Sequence, residues 1–165
     1  MKYTEYDDIK IGFPVVEGKK VPMRIEKIEA RPNRWGEIDP DSNEEGTVIT
    51  LQLKNEELVT STDGEELSPG GSTAFHDIYI YQRPDGPDFA RGDCRKGIKA
   101  NLVAIFGPED SEGMWLKPKE KEADWCARIA LEGTGRSVLA DLKSRADKND
   151  ATKFYQQVDR LHAAS

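Results

Sequence analysis

Polar and apolar residues alternate along two stretches in the first third of the chain, as they do in strands with one packed and one solvated face. From Thr47 to Lys54 the positions 49, 51 and 53 are aliphatic, whereas positions 50, 52 and 54 are polar. From Val21 to Ala30 the alternation changes parity near Glu26 and Lys27. We therefore expect a second strand at 47–54 and, before it, a long first strand bent by a β-bulge.

A third strand is predicted at Phe75–Gln82, where aliphatic and aromatic side chains divide between the two faces. Ile78 and Ile80 share one face. The other face carries Phe75, Tyr79 and Tyr81. If the isoleucines face the core, the tyrosines face solvent, because successive side chains point to opposite sides of a strand.

The C-terminal stretch from Ser137 to His162 is predicted to form a β-hairpin. One face of its first strand carries Val138, Ala140 and Leu142. The opposite, wetted face carries Leu139, Asp141, Lys143 and Arg145. A polar run at 146–152 supplies the turn formers Asp147, Asn149 and Asp150. The extended sequence at 153–158 follows as the closing strand.

Helical periodicity replaces the alternation between Arg91 and Phe106. Its apolar positions are Ile98, Leu102 and Ile105. We expect Asp93 to cap this helix and Gly107-Pro108 to end it. A second helix is predicted from Pro118 to Leu131, with Gly133 beyond its end. Its apolar stripe consists of Trp125, Cys126, Ile129 and Ala130.

The predicted order of elements is three strands, a helical region and two strands. This is the order of the OB-fold, a small and partly open five-stranded barrel. The sequence therefore predicts a mainly β protein, a five-stranded OB-like Greek-key barrel with a helical connection between strands 3 and 4. We expect an N-terminal arm at 1–20 and an OB-fold domain at 21–162, with the helical insertion around 92–132.

The charge balance limits how the protein can bind nucleic acid. The 165 residues carry a formal net charge of −7. Because unspecific binding depends on neutralising phosphates, any nucleic-acid site has to be local. No apolar run reaches membrane-spanning length and the N-terminus lacks a signal-peptide segment, so we expect a cytoplasmic protein without membrane contact. In that compartment Cys94 and Cys126 are expected to be reduced thiols.

Several blocks of the chain resemble the phage-encoded OB-fold single-stranded-DNA-binding proteins that accompany replication and recombination. These blocks are Ile78–Tyr81, Cys94–Gly107, Leu131–Arg145 and Phe154–Val158. In that family the last part recurs as a glycine, a strand, a polar turn and a closing strand that contains a tyrosine. The resemblance covers residues 21–162 in outline. It implies sequence-tolerant binding of single-stranded DNA, with replication or recombination proteins as further partners.

The candidate site residues combine aromatic rings and cations. An aromatic ring stacks on a base whatever the identity of the base, and Lys or Arg beside it neutralises phosphates. OB-folds place such residues on the face of strands 2 and 3 and in the loops joining strands 1–2 and 4–5. The candidates in this chain are Arg31, Arg34, Trp35, Lys54, Tyr79, Tyr81, Lys143, Arg145, Lys148, Lys153 and Tyr155.

A protein-interaction module is the alternative, because an acidic OB-like barrel with outward aromatic residues suits a phage adaptor or an inhibitor of a basic host protein. An enzyme is not expected. His76 and His162 lack a cysteine or acidic partner at ligand spacing, and the sequence contains no glycine-rich phosphate loop or nucleophile elbow. The sequence predicts neither a cofactor nor a metal site, and it leaves open whether the chain forms a homo-oligomer.

Overall fold

The computed structural model describes residues 14–37, 45–80, 94–150 and 152–164, except for the side chains of 33–37 and 45. The strands are β1 (Gly18–Glu37), β2 (Glu45–Asn55), β3 (Val59–Thr60), β4 (Glu66–Leu67), β5 (Thr73–Ile80), β6 (Ser137–Ala146) and β7 (Phe154–Ala163). The helices are α1 (Arg95–Asp110) and α2 (Glu122–Gly133), with a 3₁₀ turn at Glu112–Met114 between them. Neither of these described helices has the length and apolar character needed to cross a membrane.

Five antiparallel strands form the main sheet, in the order β5-β2-β1-β6-β7. This confirms the prediction of a mainly β protein. Along the chain, α1 and α2 follow β5 and precede β6. The described residues of the edge strands β5 and β7 share no hydrogen-bonded ladder, so the sheet is open between its edges. Closure into an OB-like Greek-key barrel stays a prediction.

The central strand β1 is long and contains the predicted bulge. Ile25 pairs with Leu53 and Lys27 pairs with Gln52, which leaves Glu26 as the extra residue. The strand begins at Gly18, and Val16 before it is 3% exposed within the hydrophobic core. The packed part of the chain therefore begins before position 21, where the domain was predicted to start.

The core lies on one face of the sheet, beneath the two helices. The aliphatic residues of β2 at positions 49, 51 and 53 and the isoleucines of β5 at 78 and 80 are all buried there. Phe75 and Tyr79 point to the opposite face and are exposed. The side-chain parity predicted for the second and third strands is thus confirmed for the described residues.

Helix α1 begins slightly later than predicted and is kinked where its end was expected. Its buried residues include Ile98, Leu102 and Ile105, as the periodicity predicted. Gly107 has a φ of +86°, which breaks the helical geometry before a short further turn ends at Asp110. Asp93, the predicted cap, lies outside the described residues.

Helix α2 begins at Glu122, so the prediction of a start at Pro118 was wrong. The backbone N–H of Glu120 donates to the Lys117 carbonyl, forming a turn instead. Arg128 then reaches back from the helix with two nitrogens, at 2.8 and 3.0 Å from the Glu120 carboxylate oxygens. This hydrogen-bonded pair lowers the pKa of Glu120 to about 2. The Arg128 side chain of α2 therefore holds the preceding loop in a non-helical conformation.

The apolar stripe of α2 packs as predicted, but Gly133 is the last helical residue and not a residue beyond the end. Trp125 and Ile129 are at most 1% exposed. A Cβ atom on Gly133 would lie 2.7 Å from Ile28 Cδ1. A glycine therefore permits the close approach of α2 to β1.

The predicted hairpin is formed by β6 and β7, but β7 continues to Ala163, beyond the closing strand predicted at 153–158, and one residue lies differently from its expected face. Val138, Ala140 and Leu142 are buried as expected. Asp141 was expected on the wetted face, but it is only 8% exposed. The carboxylate is covered because it accepts hydrogen bonds from the backbone N–H of Lys20 and from His162. The register shift at this point leaves Asp159 of β7 as the extra residue and does not change the parity of β6.

The turn of the hairpin is held by aspartate side chains, as predicted for Asp147 and Asp150. An oxygen of Asp147 accepts from the backbone N–H of Asn149 at 2.8 Å. An oxygen of Asp150 accepts from the backbone N–H of Thr152 at 3.0 Å. Such side-chain-to-backbone bonds two residues along the chain are the usual way in which aspartate stabilises turns. Part of the acidic charge here therefore has a structural role.

Candidate nucleic-acid interface

The strands β1, β2 and β5 place their outward side chains in rows across the sheet. Arg31 of β1 pairs with Val48 of β2, which pairs with Tyr79 of β5. We call the solvent-facing side of these strands the outer face. Its further rows are Glu29–Thr50–Asp77, Lys27–Gln52–Phe75 and Arg24–Lys54–Thr73. The outer face therefore combines aromatic, cationic, acidic and neutral polar side chains within three adjacent strands, together with the aliphatic Val48, which is buried between its neighbours.

Among the side chains that the structure describes, two aromatic rings are exposed on the outer face, both on β5. Phe75 is 57% exposed and Tyr79 is 44% exposed. They are four residues apart on one strand, so their Cα atoms are separated by about 13 Å at 3.3 Å per residue. Tyr79 was a predicted site residue, whereas Phe75 was placed on this face without being named as one. Phe75 could have been identified as a site residue from the sequence, because it has the same parity along the strand as Tyr79.

The predicted cations Arg31 and Lys54 both lie on the outer face. Lys54 Nζ donates a hydrogen bond to the Thr73 hydroxyl, a neutral partner on the neighbouring strand. Arg31 Nη2 lies 4.0 Å from Asp77 Oδ1, and the side chain of Arg31 is 63% exposed. Arg24 and Lys27 are two further cations here that the sequence reasoning missed, because it considered basic residues chiefly in loops and in the hairpin.

Carboxylates accompany three of these four cations. Lys27 Nζ lies 2.6 Å from Glu29 Oε1, and Arg24 is hydrogen-bonded to Glu26. Asp77 faces Arg31 and also accepts a hydrogen bond of 2.7 Å from the Thr50 hydroxyl. All three pairs are solvent-exposed to a substantial degree, so each contributes little to stability. Their main effect is to balance the charge of the face.

The hairpin carries the second group of predicted residues: Lys143, Arg145, Lys148, Lys153 and Tyr155. β6 pairs with β1 only as far as Leu142, which lies opposite Gly18 at the beginning of β1. Arg31 lies towards the other end of β1. The structure therefore divides the predicted residues into two groups and does not bring them together along the strand direction.

The hairpin carries two exposed rings, Phe154 and Tyr155, and a cation that is paired with a carboxylate. The Tyr155 hydroxyl donates a hydrogen bond of 2.7 Å to Asp147 Oδ2, and the residue is 48% exposed. This hydrogen bond raises the pKa of Tyr155 and lowers the pKa of Asp147. Lys143 Nζ lies 2.9 Å from Asp159 Oδ1.

Of the other predicted residues, the side chains of Arg34 and Trp35 and the whole of Tyr81 lie outside the described residues.

The histidines and cysteines occupy structural positions. Burial lowers the pKa of His76, whose Nε2 atom lies 2.7 Å from Asn101 Oδ1. Both cysteines are buried and unpaired, and burial raises the pKa of Cys126 to about 12. In the described part of the chain, no three His, Cys, Asp or Glu residues are grouped so that they could hold a metal ion. The sequence reasoning missed one contact: His162 does have an acidic partner, Asp141.

No protein-family model matches the sequence, and no curated protein matches it either.

Proposed function

We propose that the protein binds single-stranded DNA in a sequence-tolerant way across the outer face, in phage replication or recombination. The observation that carries this proposal is the pair of exposed rings, Phe75 and Tyr79, on a sheet face that is otherwise largely polar. Lys54 and Arg31 flank the rings on the neighbouring strands. This arrangement offers stacking and phosphate contacts on one surface.

Stacking of nucleic-acid bases would give the two exposed rings a function on this solvated face. A base presents an apolar π-face in a single strand but not inside a duplex. Each base stacked on an aromatic side chain contributes about 1–3 kcal/mol, with little dependence on base identity. Phe75 and Tyr79, about 13 Å apart along β5, would therefore hold two bases that are not adjacent in the strand.

The order of the strands supports the same surface. An OB-like fold binds oligonucleotides on the face of its second and third strands. When only the long strands are counted, these are β2 and β5, the strands that carry Lys54, Phe75 and Tyr79. A partly open barrel is also typical of that fold, which agrees with a sheet that is open between β5 and β7.

Photocrosslinking tests the location of the site. An oligonucleotide containing 5-iodouracil is irradiated with the protein, and the crosslinked peptides are identified by mass spectrometry. We expect crosslinks to Phe75 and Tyr79. Crosslinks confined to the hairpin at 143–158 would move the site to β6 and β7, and the absence of any crosslink above that of a non-binding control protein would contradict nucleic-acid binding.

A second candidate function is an interaction module for a basic protein. It is favoured by the carboxylates that pair with Arg24, Lys27 and Arg31, since these reduce the attraction of the outer face for phosphates. Capture of a basic partner by a protein that binds no oligonucleotide would select this function over the first.

A further inference from the structure

We infer that Glu26, Glu29 and Asp77 determine the selectivity of the outer face for single strands over duplex DNA. This inference rests on the proposed function. Each of the three carboxylates lies beside one cation of the face: Arg24, Lys27 and Arg31 respectively. The three acids therefore neutralise most of the positive charge that the face could offer to any phosphate backbone.

The geometry assigns this effect to individual pairs. Glu29 and Lys27 are two residues apart on β1 and point to the same side, with 2.6 Å between Oε1 and Nζ. Glu26 is the bulged residue, and its carboxylate accepts a hydrogen bond of 3.2 Å from Arg24 Nε. Asp77 reaches Arg31 across β2, while the Thr50 hydroxyl fixes its orientation. Lys54 is the cation of the face whose described partner is neutral.

The two forms of DNA depend differently on that charge. A duplex carries one negative charge per about 1.7 Å of its axis, so cations on a protein surface attract it strongly. Duplex binding to a flat polar face rests almost entirely on this electrostatic attraction. A single strand gains in addition the stacking of its unpaired bases on Phe75 and Tyr79. Neutralising the cations therefore removes most of the attraction for a duplex and only part of it for a single strand.

The test compares E26Q/E29Q/D77N with a control of equal charge change. The control, E109Q/D110N/E112Q, removes the same three charges from exposed positions at the end of α1 and in the turn that follows, away from the outer face. All three proteins are titrated with fluorescent oligo-dT and with a duplex of equal length at two salt concentrations. Urea midpoints are measured first to establish that the variants are folded.

We expect E26Q/E29Q/D77N to bind both ligands more tightly, with a several-fold larger gain for the duplex. Its salt slope for the duplex should steepen by about 3, since three cations become available to phosphates at about 0.9 per contact. The control should retain the selectivity of the unaltered protein. An unchanged selectivity in E26Q/E29Q/D77N, or an equal change in the control, would overturn the inference while the proposed function stands. A failure of the unaltered protein to bind oligo-dT would instead overturn the proposed function, and the inference with it.

Discussion

His162 Nε2 lies 2.9 Å from Asp141 Oδ2, and this contact joins the two strands of the C-terminal hairpin. The other oxygen of Asp141 accepts a hydrogen bond of 2.9 Å from the backbone N–H of Lys20. Lys20 has a φ of +48°, a left-handed conformation that is unfavourable for a residue with a side chain. It lies in the irregular register of β1 and β6 between Gly18 and Val21. Asp141 therefore connects the two strands of the hairpin to each other and to the beginning of the central strand β1.

The first prediction concerns stability in acid. The hydrogen bond with His162, followed by that from Lys20, lowers the pKa of Asp141 below the usual 3.8. A lowered pKa in the folded state means that ionised Asp141 stabilises the fold above pH 3.8, and that this contribution is lost as the pH falls through the folded-state pKa. D141N should therefore be less stable near neutral pH, and the difference from the unaltered protein should shrink in acid.

Urea unfolding at a series of pH values measures this difference directly. Carboxylates with lowered pKa that do not interact with Asp141, such as Glu120 and Asp150, remain in both proteins, so their effect cancels in the comparison. Unfolding free energies that differ by a constant amount at every pH would contradict the role assigned to Asp141.

The second prediction concerns the two rings of β5. F75A and Y79A should each weaken oligo-dT binding about 5- to 150-fold, which corresponds to the loss of about 1–3 kcal/mol of stacking per base. Both side chains are exposed, so the unfolding free energy should change little. L131A is the matched control, because Leu131 is an apolar residue 79% exposed on α2. Affinities of F75A and Y79A that equal the affinity of L131A would remove β5 from the site.

The third prediction separates the two groups of cations. R31Q/K54Q and K148Q/K153Q remove the same charge, from the outer face and from the hairpin respectively. If the strand lies on the outer face, R31Q/K54Q should lower the salt slope for oligo-dT by at least about 0.7, the share of one phosphate contact made by Lys54, because Asp77 already pairs with Arg31. K148Q/K153Q should change it little. The reverse result would place the phosphate contacts in the hairpin.

The fourth prediction concerns the packing of α2. Trp125 is fully buried, and its Nε1 donates a hydrogen bond of 2.8 Å to the Met114 carbonyl. W125F leaves that carbonyl without its partner and creates a cavity, so we expect a loss of about 2 kcal/mol or more in unfolding free energy. Trp115 meets Trp125 edge-on at 6.1 Å between ring centroids but is only partly buried. W115F should cost less, and an equal cost in urea unfolding would contradict the account of this contact.

Local patterns in the sequence predicted much of the fold. The alternation at 47–54 and 75–80 gave the strands and their buried faces, because a period of two is a property of neighbouring residues. The change of parity at Glu26 gave the bulge for the same reason. Parity placed Tyr79 and Lys54 on outward strand faces. Arg31 was expected in the loop after the first strand, but β1 continues to Glu37 and Arg31 pairs within it.

Contacts between distant parts of the chain could not be predicted in this way. Asp141 has the parity of a solvated residue, and it is buried because Lys20, 121 positions earlier, donates to it. The start of α2 depends on Arg128, the seventh residue of the helix, which reaches back eight positions to Glu120. The pairing of Arg31 with Asp77 depends on the register of three strands. Such partners are selected by tertiary packing, on which local periodicity carries no information.

The measurement that tests the central claim most directly is fluorescence anisotropy of a labelled oligo-dT titrated with the unaltered protein, with a duplex of equal length as the control. The titrations are run at about 50 mM and about 200 mM salt, a range over which phosphate contacts weaken strongly. We predict saturable binding to the single strand that weakens with salt, and much weaker binding to the duplex. No binding to oligo-dT at the lower salt concentration would contradict the account and would direct the search to a basic protein partner.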